Sequence, residues 1–309
     1  MAMFNQSTVN EFILSGLSPY PNLQIPLFVA CLLVYITTML GNFTIILLIT
    51  ATPELKTPMY FFLTNLSFID IFYSSTITPN TLANLVSENK SISLAGCATQ
   101  MYFFIALASS EATLLAVMAY DRYVAICKPL YYSLVINTKT CLQLLCITYT
   151  TGCINSLIHT CSAFRLSFCS LNHINHFYCD INPILALSCT DTYINELFLF
   201  IFAGSVEVGT LLSVLVSYVF ILFALCRITS PEGRHKSFST CVSHFTCVAL
   251  FYCPVLFMYL RPTSSYSLNQ DWVLSVFYTI IIPMLNPIIY NLRNQDVKKA
   301  LQKLKYLYS

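Results

Sequence analysis

Two carboxylic acids stand inside long stretches of sequence that are otherwise uncharged. Asp70 is the only charged residue in 59–86, and Glu111 is the only charged residue in 96–120. A charge in so apolar a stretch costs several kcal/mol unless it is paired or faces water, which makes both acids functional candidates. If they lie at one depth, a shared proton or a cation with oxygen ligands would relieve their repulsion. The alternative is two separately protonated carboxyls bonded to backbone.

Three more polar residues lie in apolar stretches and could take part in this chemistry. Asn42 and Asn286 would supply amide oxygens at a depth similar to that of the two acids. Glu207 has fewer polar companions, and two interpretations of it stay open. It lines a ligand cavity, or it is a neutral carboxyl bonded to a neighbouring helix.

The composition indicates which solvent surrounds these residues. The 309-residue chain is 57% hydrophobic and only 9% charged, and its mean hydropathy is +0.70. Soluble domains carry about 25% charged residues, so a free soluble enzyme is disfavoured. A formal net charge of +2 provides no basic field for nucleic acid. The same hydrophobicity excludes a disordered chain, so we predict a membrane protein with several spans.

Seven apolar runs are each long enough to cross the hydrocarbon layer as a helix, which takes about 20 residues. Strands of a membrane barrel would instead be about ten residues long with alternating polarity. The fold is therefore predicted to be an all-α bundle of seven transmembrane helices. The predicted spans are 25–50, 59–86, 96–120, 141–163, 197–226, 238–260 and 272–292.

The basic residues between the spans predict the orientation of the bundle. Twelve of the 15 Lys and Arg residues fall on one side, which should be cytoplasmic because cytoplasmic loops carry the excess of basic residues. The chain is then one domain in three parts. Residues 1–24 are expected outside, 25–292 form the bundle, and 293–309 form a cytoplasmic tail with a short interfacial helix.

The outer side also carries residues that could be modified. Asn5 begins an Asn-Gln-Ser sequon and is the expected glycosylation site. Four cysteines on this side allow two disulfides in three connectivities. The pattern His173-x-x-His176-x-x-Cys179 has the spacing of metal ligands, but an oxidised Cys179 would offer no thiolate, so a disulfide is the preferred interpretation. The four cysteines are Cys97, Cys169, Cys179 and Cys189.

Four local motifs, each at the end of a predicted span, narrow the class of protein. The sequence PMYFFL opens the second span at 58–63, and MAYDRYVAIC closes the third at 118–127. KSFSTCVSH opens the sixth at 236–244, and PMLNPIIY closes the seventh at 283–290. With seven spans and Asp70 in the second, the chain resembles the rhodopsin-like G-protein-coupled receptors. The variants in the second and sixth spans resemble the olfactory (odorant) receptors of the tetrapod-type class.

This resemblance implies several features of the outer and middle parts of the bundle. It implies a sodium-type site around Asp70 and Glu111, and no other cofactor. The chain departs from the family at Cys253, where glycine is usual. The disulfides that the resemblance implies are Cys97–Cys179 and Cys169–Cys189.

The resemblance also implies a cavity for a small volatile odorant in the outer half of the bundle. Its walls would be mainly apolar with a few hydroxyls, as in other sites for small ligands. The seventh span has no lysine, which excludes a retinal Schiff base there. The lining residues implied are Phe104, Ile105, Ala108, Ser109, Phe202, Val206, Tyr252, Val255, Tyr259, Val276 and Thr279.

The switch implied by the resemblance centres on Arg122, held by Asp121 in the inactive form and released to meet a G protein. The sixth span opens with RHK at 234–236, so the acid that many relatives place there is missing. We expect His244, Tyr218 and Tyr290 to bond around Arg122 instead in the active form. The switch and coupling residues are Asp121, Arg122, Tyr123, Tyr218, His244, Asn286, Pro287 and Tyr290.

Three other classes of protein were weighed against this interpretation. Another rhodopsin-like receptor, for a lipid or peptide, would share the switch but not the motifs of the second and sixth spans. A transporter or channel would show internal repeats or broken helices, and an enzyme would need a catalytic arrangement around its acids. The sequence therefore predicts a non-enzymatic odorant receptor of the plasma membrane. Its expected partners are a volatile odorant, a stimulatory olfactory G protein and membrane lipid, with no nucleic acid.

Overall fold

The computed structural model describes residues 10–18, 20–168, 172–227, 231–260, 268–293, 297, 298 and 300. Seven long helices make up most of this part of the chain. We number them α1 (Pro21–Ala51), α2 (Pro58–Val86), α3 (Leu94–Cys127), α4 (Thr138–Ala163), α5 (Tyr193–Arg227), α6 (Pro231–Leu260) and α7 (268–293). Short helical turns at Pro53–Leu55, Pro129–Tyr131, Tyr132–Val135 and Ile181–Leu185 lie in the connections, and α5 and α7 contain π turns at Leu199–Ala203 and Phe277–Ile281.

The predicted seven-helix bundle is confirmed, although the helices run beyond the predicted spans. α3 extends seven residues past Tyr120, and α6 begins seven residues before Phe238. An apolar run marks the part of a helix inside hydrocarbon, whereas the helix itself continues into the interface. By length and hydropathy five of the described helices qualify as membrane spans, and these are α1, α3, α4, α5 and α7. Polar residues such as Asp70 lower the mean hydropathy of α2. In α6 the apolar stretch found among the described side chains is Cys241–Val255.

The helix starts follow from local capping chemistry. Pro58 is the first residue of α2, where its missing N–H leaves no bond unmade. The Ser93 hydroxyl accepts a hydrogen bond from the Gly96 N–H at 3.0 Å at the start of α3. Asn137 accepts one from the Thr140 N–H at 3.0 Å at the start of α4. These caps satisfy N–H groups that a helix start would otherwise leave open.

A small sheet covers one end of the bundle, and the sequence analysis did not predict it. We call this end outer and the opposite end inner, following the orientation that the distribution of Lys and Arg predicts. β1 (Glu11–Leu14) is the central strand, antiparallel to β2 (Ser91–Ser93) and parallel to β3 (His173–Ile174). Phe12 and Leu14 are buried while Glu11 and Ile13 are exposed, as strand alternation requires. The segment before α1 is thereby tied to the loop between α4 and α5.

α3 lies at the centre of the bundle and packs against α2, α4, α5 and α6. Its approach to α4 depends on Gly152, because a Cβ at that position would collide with the Ser110 hydroxyl and the Ala106 carbonyl oxygen. α1 and α7 also approach closely, since a Cβ on Gly41 would lie 3.1 Å from Cγ of Pro287. The predicted interfacial helix is described only at 297, 298 and 300, which are helical.

The packing of α3 on α4 predicts that Gly152→Ala lowers the stability of the receptor. The backbone carbonyl of Ala106 cannot move aside cheaply, and overpacking of this kind costs about 1–3 kcal/mol. Gly209→Ala on α5 is the matched control, because nothing lies within 4 Å of a Cβ there. The apparent melting temperature of purified receptor should fall for the first variant only. Equal melting temperatures would contradict the close contact.

Candidate functional site

The predicted pair of acids meets at the centre of the bundle. Nδ2 of Asn286 on α7 donates hydrogen bonds to both carboxylate oxygens of Asp70 on α2, at 3.1 and 3.2 Å. The same nitrogen lies 3.3 Å from Oε1 of Glu111 on α3. All three residues are at most 2% exposed. One amide thus joins three helices at two carboxyl groups that cannot both stay charged without a compensating partner.

The oxygens around this contact fit a hard cation. Oδ1 of Asn286 and Oδ1 of Asn42 are buried and have no hydrogen-bond partner among the described residues. Nδ2 of Asn42 donates to the Pro283 carbonyl oxygen at 3.1 Å, which fastens α1 to α7 next to the acids. Carboxylate and amide oxygens are the ligands that hard cations prefer. The residue types therefore suit the sodium-type site that the resemblance implies.

Aromatic side chains pack around Phe104 in the outer half of the bundle. Its ring centre lies 5.6 Å from that of Tyr73 on α2, 5.0 Å from Tyr178 in the outer loop and 6.3 Å from Tyr278 on α7. The hydroxyls of Tyr178 and Tyr278 are hydrogen-bonded to each other. Four separate parts of the chain therefore meet at one predicted ligand residue.

A disulfide holds the outer loop onto this cluster. Cys97 and Cys179 are bonded, which is the pairing that the resemblance implies. Gln100 reinforces it, because its Oε1 accepts from the Cys179 N–H at 3.0 Å while its Nε2 donates to the Thr76 carbonyl oxygen at 3.1 Å. Cys189 is also disulfide-bonded. Its expected partner Cys169 lies outside the described residues, as does the sequon residue Asn5.

The other predicted ligand residues are spread over a wider part of the bundle than the single cavity that the resemblance implies. Asn155 on α4 donates to the Ser109 hydroxyl at 2.8 Å, so Ser109 faces α4. Phe202 and Val206 line a groove of about 420 Å³ together with α4 side chains. The predicted residues that pack with the outer aromatic cluster are Ile105, Ala108 and Val276, while Thr279 is buried on α7. Val255 is half-buried, and the side chain of Tyr259 lies outside the described part of the structure.

Glu207 points into the bundle from α5 with an unsatisfied oxygen. Its Oε2 is buried and has no hydrogen-bond partner among the described residues. One turn further along α5, the Thr210 hydroxyl accepts from the Tyr252 hydroxyl of α6 at 2.7 Å. The Thr210 hydroxyl also lies 3.1 Å from the Glu207 carbonyl oxygen, so Glu207 stands one helical turn from a bond that joins α5 to α6.

The expected ion pair is present at the inner end of α3. Nη2 of Arg122 lies 3.8 Å from Oδ2 of Asp121. The Tyr132 hydroxyl, in the short helix that follows α3, donates to Oδ1 of the same carboxylate at 2.8 Å. Burial and the nearby Asp121 raise the pKa of Tyr132, which keeps this hydroxyl protonated as a donor. The sequence analysis missed Tyr132, which stands in a connection with no motif to identify it.

Two further switch residues meet on the opposite side of α3. Tyr218 on α5 and His244 on α6 are hydrogen-bonded at 2.7 Å through Nδ1 of the histidine. Nε2 of His244 lies 3.2 Å from the Leu115 carbonyl oxygen of α3, which only a protonated nitrogen can satisfy. With its proton on Nε2, a neutral imidazole donates to Leu115 and accepts at Nδ1 from the Tyr218 hydroxyl, which also lies 3.1 Å from the Cys241 carbonyl oxygen of α6. The side chain of Tyr290 lies outside the described residues.

The histidines of the outer loop do not form a metal site with Cys179, which is oxidised. Within the described residues no group of three His, Cys, Asp or Glu side chains could hold a metal ion. His176 instead fastens the loop to α7, since its Nε2 lies 3.2 Å from the Ser275 hydroxyl and its ring stacks on Phe177 at 4.8 Å. Sequence reasoning had assigned His176 only a weak metal role.

Comparisons with known proteins agree with this arrangement of motifs. A model of the olfactory receptor family matches residues 31–306. The chain is 55% identical to Olfactory receptor 5AR1 of Mus musculus, over 97% of both proteins. It is 51% identical to Olfactory receptor 5I1 of Homo sapiens, over 97% of this chain and 96% of that protein. The crystal structure of squid rhodopsin matches 94% of this chain and 87% of that one, with a TM-score of 0.72 and 16% identity, a likeness of fold alone.

The burial of His176 predicts a pH dependence of stability. Burial lowers its pKa to about 4, against about 6.5 in an unfolded chain. The folded state therefore binds fewer protons between these values, and stability falls as the pH falls from about 6.5 toward 4. The loss from this residue at pH 5 is expected to be about 2 kcal/mol.

His176→Gln should flatten this dependence, measured as the difference in apparent melting temperature between pH 7 and pH 5. His173→Gln is the control, because it makes the same replacement in the same loop at a side chain that is exposed on β3. The same pH dependence in all three proteins would contradict the assignment to His176.

Proposed function

Because the chain belongs to the olfactory receptor family, we propose that it binds small volatile organic molecules and activates a stimulatory olfactory G protein, which raises cyclic AMP. As a member of this family it is a multi-pass plasma-membrane receptor and not an enzyme. The match to olfactory receptors along 97% of the chain carries the proposal. The absence of lysine from 268–293 distinguishes it from a retinal-binding protein of the same fold.

The odorant is proposed to bind in the outer half of the bundle, between the aromatic cluster of Phe104 and the inward faces of α5 and α6. Apolar walls suit a volatile molecule, and a few polar groups would orient it. Tyr252 and Glu207 are the polar candidates, since Oε2 of Glu207 has no partner among the described residues. Phe202 and Val206 would join this site only through a rearrangement of α5 relative to the described structure.

Activation is proposed to break the bonds that hold α6 against α3. In the described structure Asp121 pairs with Arg122, while His244 links α6 to Leu115 and to Tyr218. A ligand shifts such an equilibrium only by binding one arrangement more tightly. An odorant that draws the outer parts of α5 and α6 together would favour release of Arg122 toward the G protein. This route requires the basic, motif-bearing end of α3 to face the cytoplasm, as the distribution of Lys and Arg predicts.

A sodium ion is proposed to bind near Asp70 and Glu111. The unpartnered Oδ1 atoms of Asn42 and Asn286 support this, together with the two buried carboxyls that Asn286 joins. The cation would supply positive charge that lets both acids stay ionised inside the bundle. A shared proton is the alternative, and it would need no ion.

The function is tested by cyclic AMP in cells that express the chain and are exposed to a broad panel of volatiles. We expect some odorants to raise cyclic AMP, and Arg122→Ala to abolish the response at matched surface staining. Arg165→Ala is the control, because Arg165 is exposed in the turn that follows α4 and its replacement should keep the response. A response that survives Arg122→Ala would contradict the proposed coupling.

Because His244 bonds α6 to its neighbours, we predict that removing these hydrogen bonds changes the resting activity of the receptor. His244→Ala and Tyr218→Phe each remove hydrogen bonds that join α6 to its neighbours, worth about 0.5–1.5 kcal/mol each. We expect basal cyclic AMP to rise roughly 2- to 10-fold, because that free energy shifts the equilibrium by this factor. Thr246→Val, which removes only a bond within α6, is the control. Unchanged signalling in both variants at equal surface level would show that this contact does not restrain the receptor.

The sodium site predicts a specific salt effect on stability. Replacing choline chloride by sodium chloride at constant ionic strength should raise the apparent melting temperature of the purified receptor, because a ligand that binds only the folded state stabilises it. Asp70→Asn should abolish the difference. No sodium effect on the unaltered chain would favour the shared proton instead.

A further inference from the structure

A second cavity lies at the opposite end of the bundle from the proposed odorant site. It is a groove of about 740 Å³ between the inner ends of α1, α2 and α4, closed on one side by the short helix Tyr132–Val135. Its wall is mainly apolar, with the buried side chains of Leu55 and Ile136 beside Phe61 and Leu142, although Thr64 and Asn65 also line it. None of the residues assigned to ligand binding or to coupling lines it.

The rim of this groove is polar and positively charged. Lys56 and Thr57 stand on one edge and Ser133 on the other, and all three are exposed. Among the described residues Lys56 has no carboxylate within 4.0 Å. The groove also contains the start of α2, whose cap residue Thr57 makes no side-chain capping bond. An ammonium group with no carboxylate partner in the described part of the chain and the positive end of a helix dipole therefore lie beside a mainly apolar groove.

We propose that this groove binds an anionic phospholipid of the cytoplasmic leaflet. The phosphate would lie against Lys56 and Thr57, and an acyl chain would follow the wall formed by Phe61 and Leu142. The charge of the rim complements the anionic lipids that concentrate on the cytoplasmic side of a membrane. A soluble anion would leave the apolar wall unused, and a neutral sterol would leave Lys56 unpaired.

The groove shares a wall with the proposed switch. Tyr132 lines it, and the hydroxyl of Tyr132 donates to Asp121 at 2.8 Å, the carboxylate that pairs with Arg122. A lipid packed against Tyr132 would hold it in this position and so favour the paired form of Arg122. This consequence rests on the proposed function, whereas the binding of lipid does not.

The experiment uses full-length receptor in phosphatidylcholine vesicles that contain a trace of phosphatidylserine with a photoreactive group on its acyl chain. The expected result is labelling of peptides that contain Phe61 or Leu142, well above the labelling by the matching phosphatidylcholine probe. Lys56→Gln should lower the phosphatidylserine labelling about fivefold, because it removes the lysine that lines the groove, a contribution of about 1 kcal/mol. Lys139→Gln, an exposed lysine of α4 beside the groove, is the matched control and should leave it unchanged.

Leu142→Trp is a second variant that narrows the groove without touching its charge, and it should lower labelling while the melting temperature stays unchanged. Equal labelling by the two phospholipid probes would overturn the proposal, as would an equal loss in Lys56→Gln and Lys139→Gln. Displacement of the probe by cholesterol but not by unlabelled phosphatidylserine would assign the groove to a sterol.

For the switch, Lys56→Gln should raise basal cyclic AMP and Lys139→Gln should not. Failure of that arm alone would reject the coupling and leave the lipid site intact.

Discussion

The amide of Asn286 is the contact on which the rest of this receptor depends. In hydrocarbon a carboxyl group needs a partner, and the structure places two of them, Asp70 and Glu111, around one side-chain nitrogen. Leaving either acid without this donor would cost the full penalty of a buried unsatisfied group. The need of both acids for this one amide fixes α2, α3 and α7 relative to one another at mid-membrane. Apolar contacts alone would allow these helices to shift along one another.

This fixed centre relates the outer and inner ends of the molecule. α3 runs from the disulfide at Cys97 through Glu111 to Arg122, a length of about 37 Å for 25 residues at the helical rise. At its outer end Phe104 packs against the loop that Cys179 anchors. At its inner end Arg122 is paired and His244 bonds to the α3 backbone. A ligand that alters the packing of the outer end therefore acts on a helix whose midpoint is held.

The sequence predicted best those features that a single physical rule determines. Apolar runs of helical length, three of them broken by one acid, identified all seven helices. The rarity of charge in hydrocarbon identified Asp70 and Glu111. The sequence did not predict the features that depend on contacts between several distant segments. The outer sheet needs β1, β2 and β3 to meet, and Tyr132 reaches Asp121 from a connection without periodicity. Ser109 faces α4 because a glycine lets that helix approach, which the residue type of position 109 does not reveal.

The most direct test of this account is a double-mutant cycle on the apparent stability of the purified receptor, with Asp70→Ala, Asn286→Ala and the two combined. Residues in direct contact are expected to show non-additive effects, and a hydrogen bond to a charged group contributes about 1.5–3 kcal/mol. We predict that Asn286→Ala is costly in the unaltered chain and costs less, by about that amount, when Asp70 is already alanine. Strictly additive losses would show that the two residues are stabilised independently and would contradict the central role of their contact.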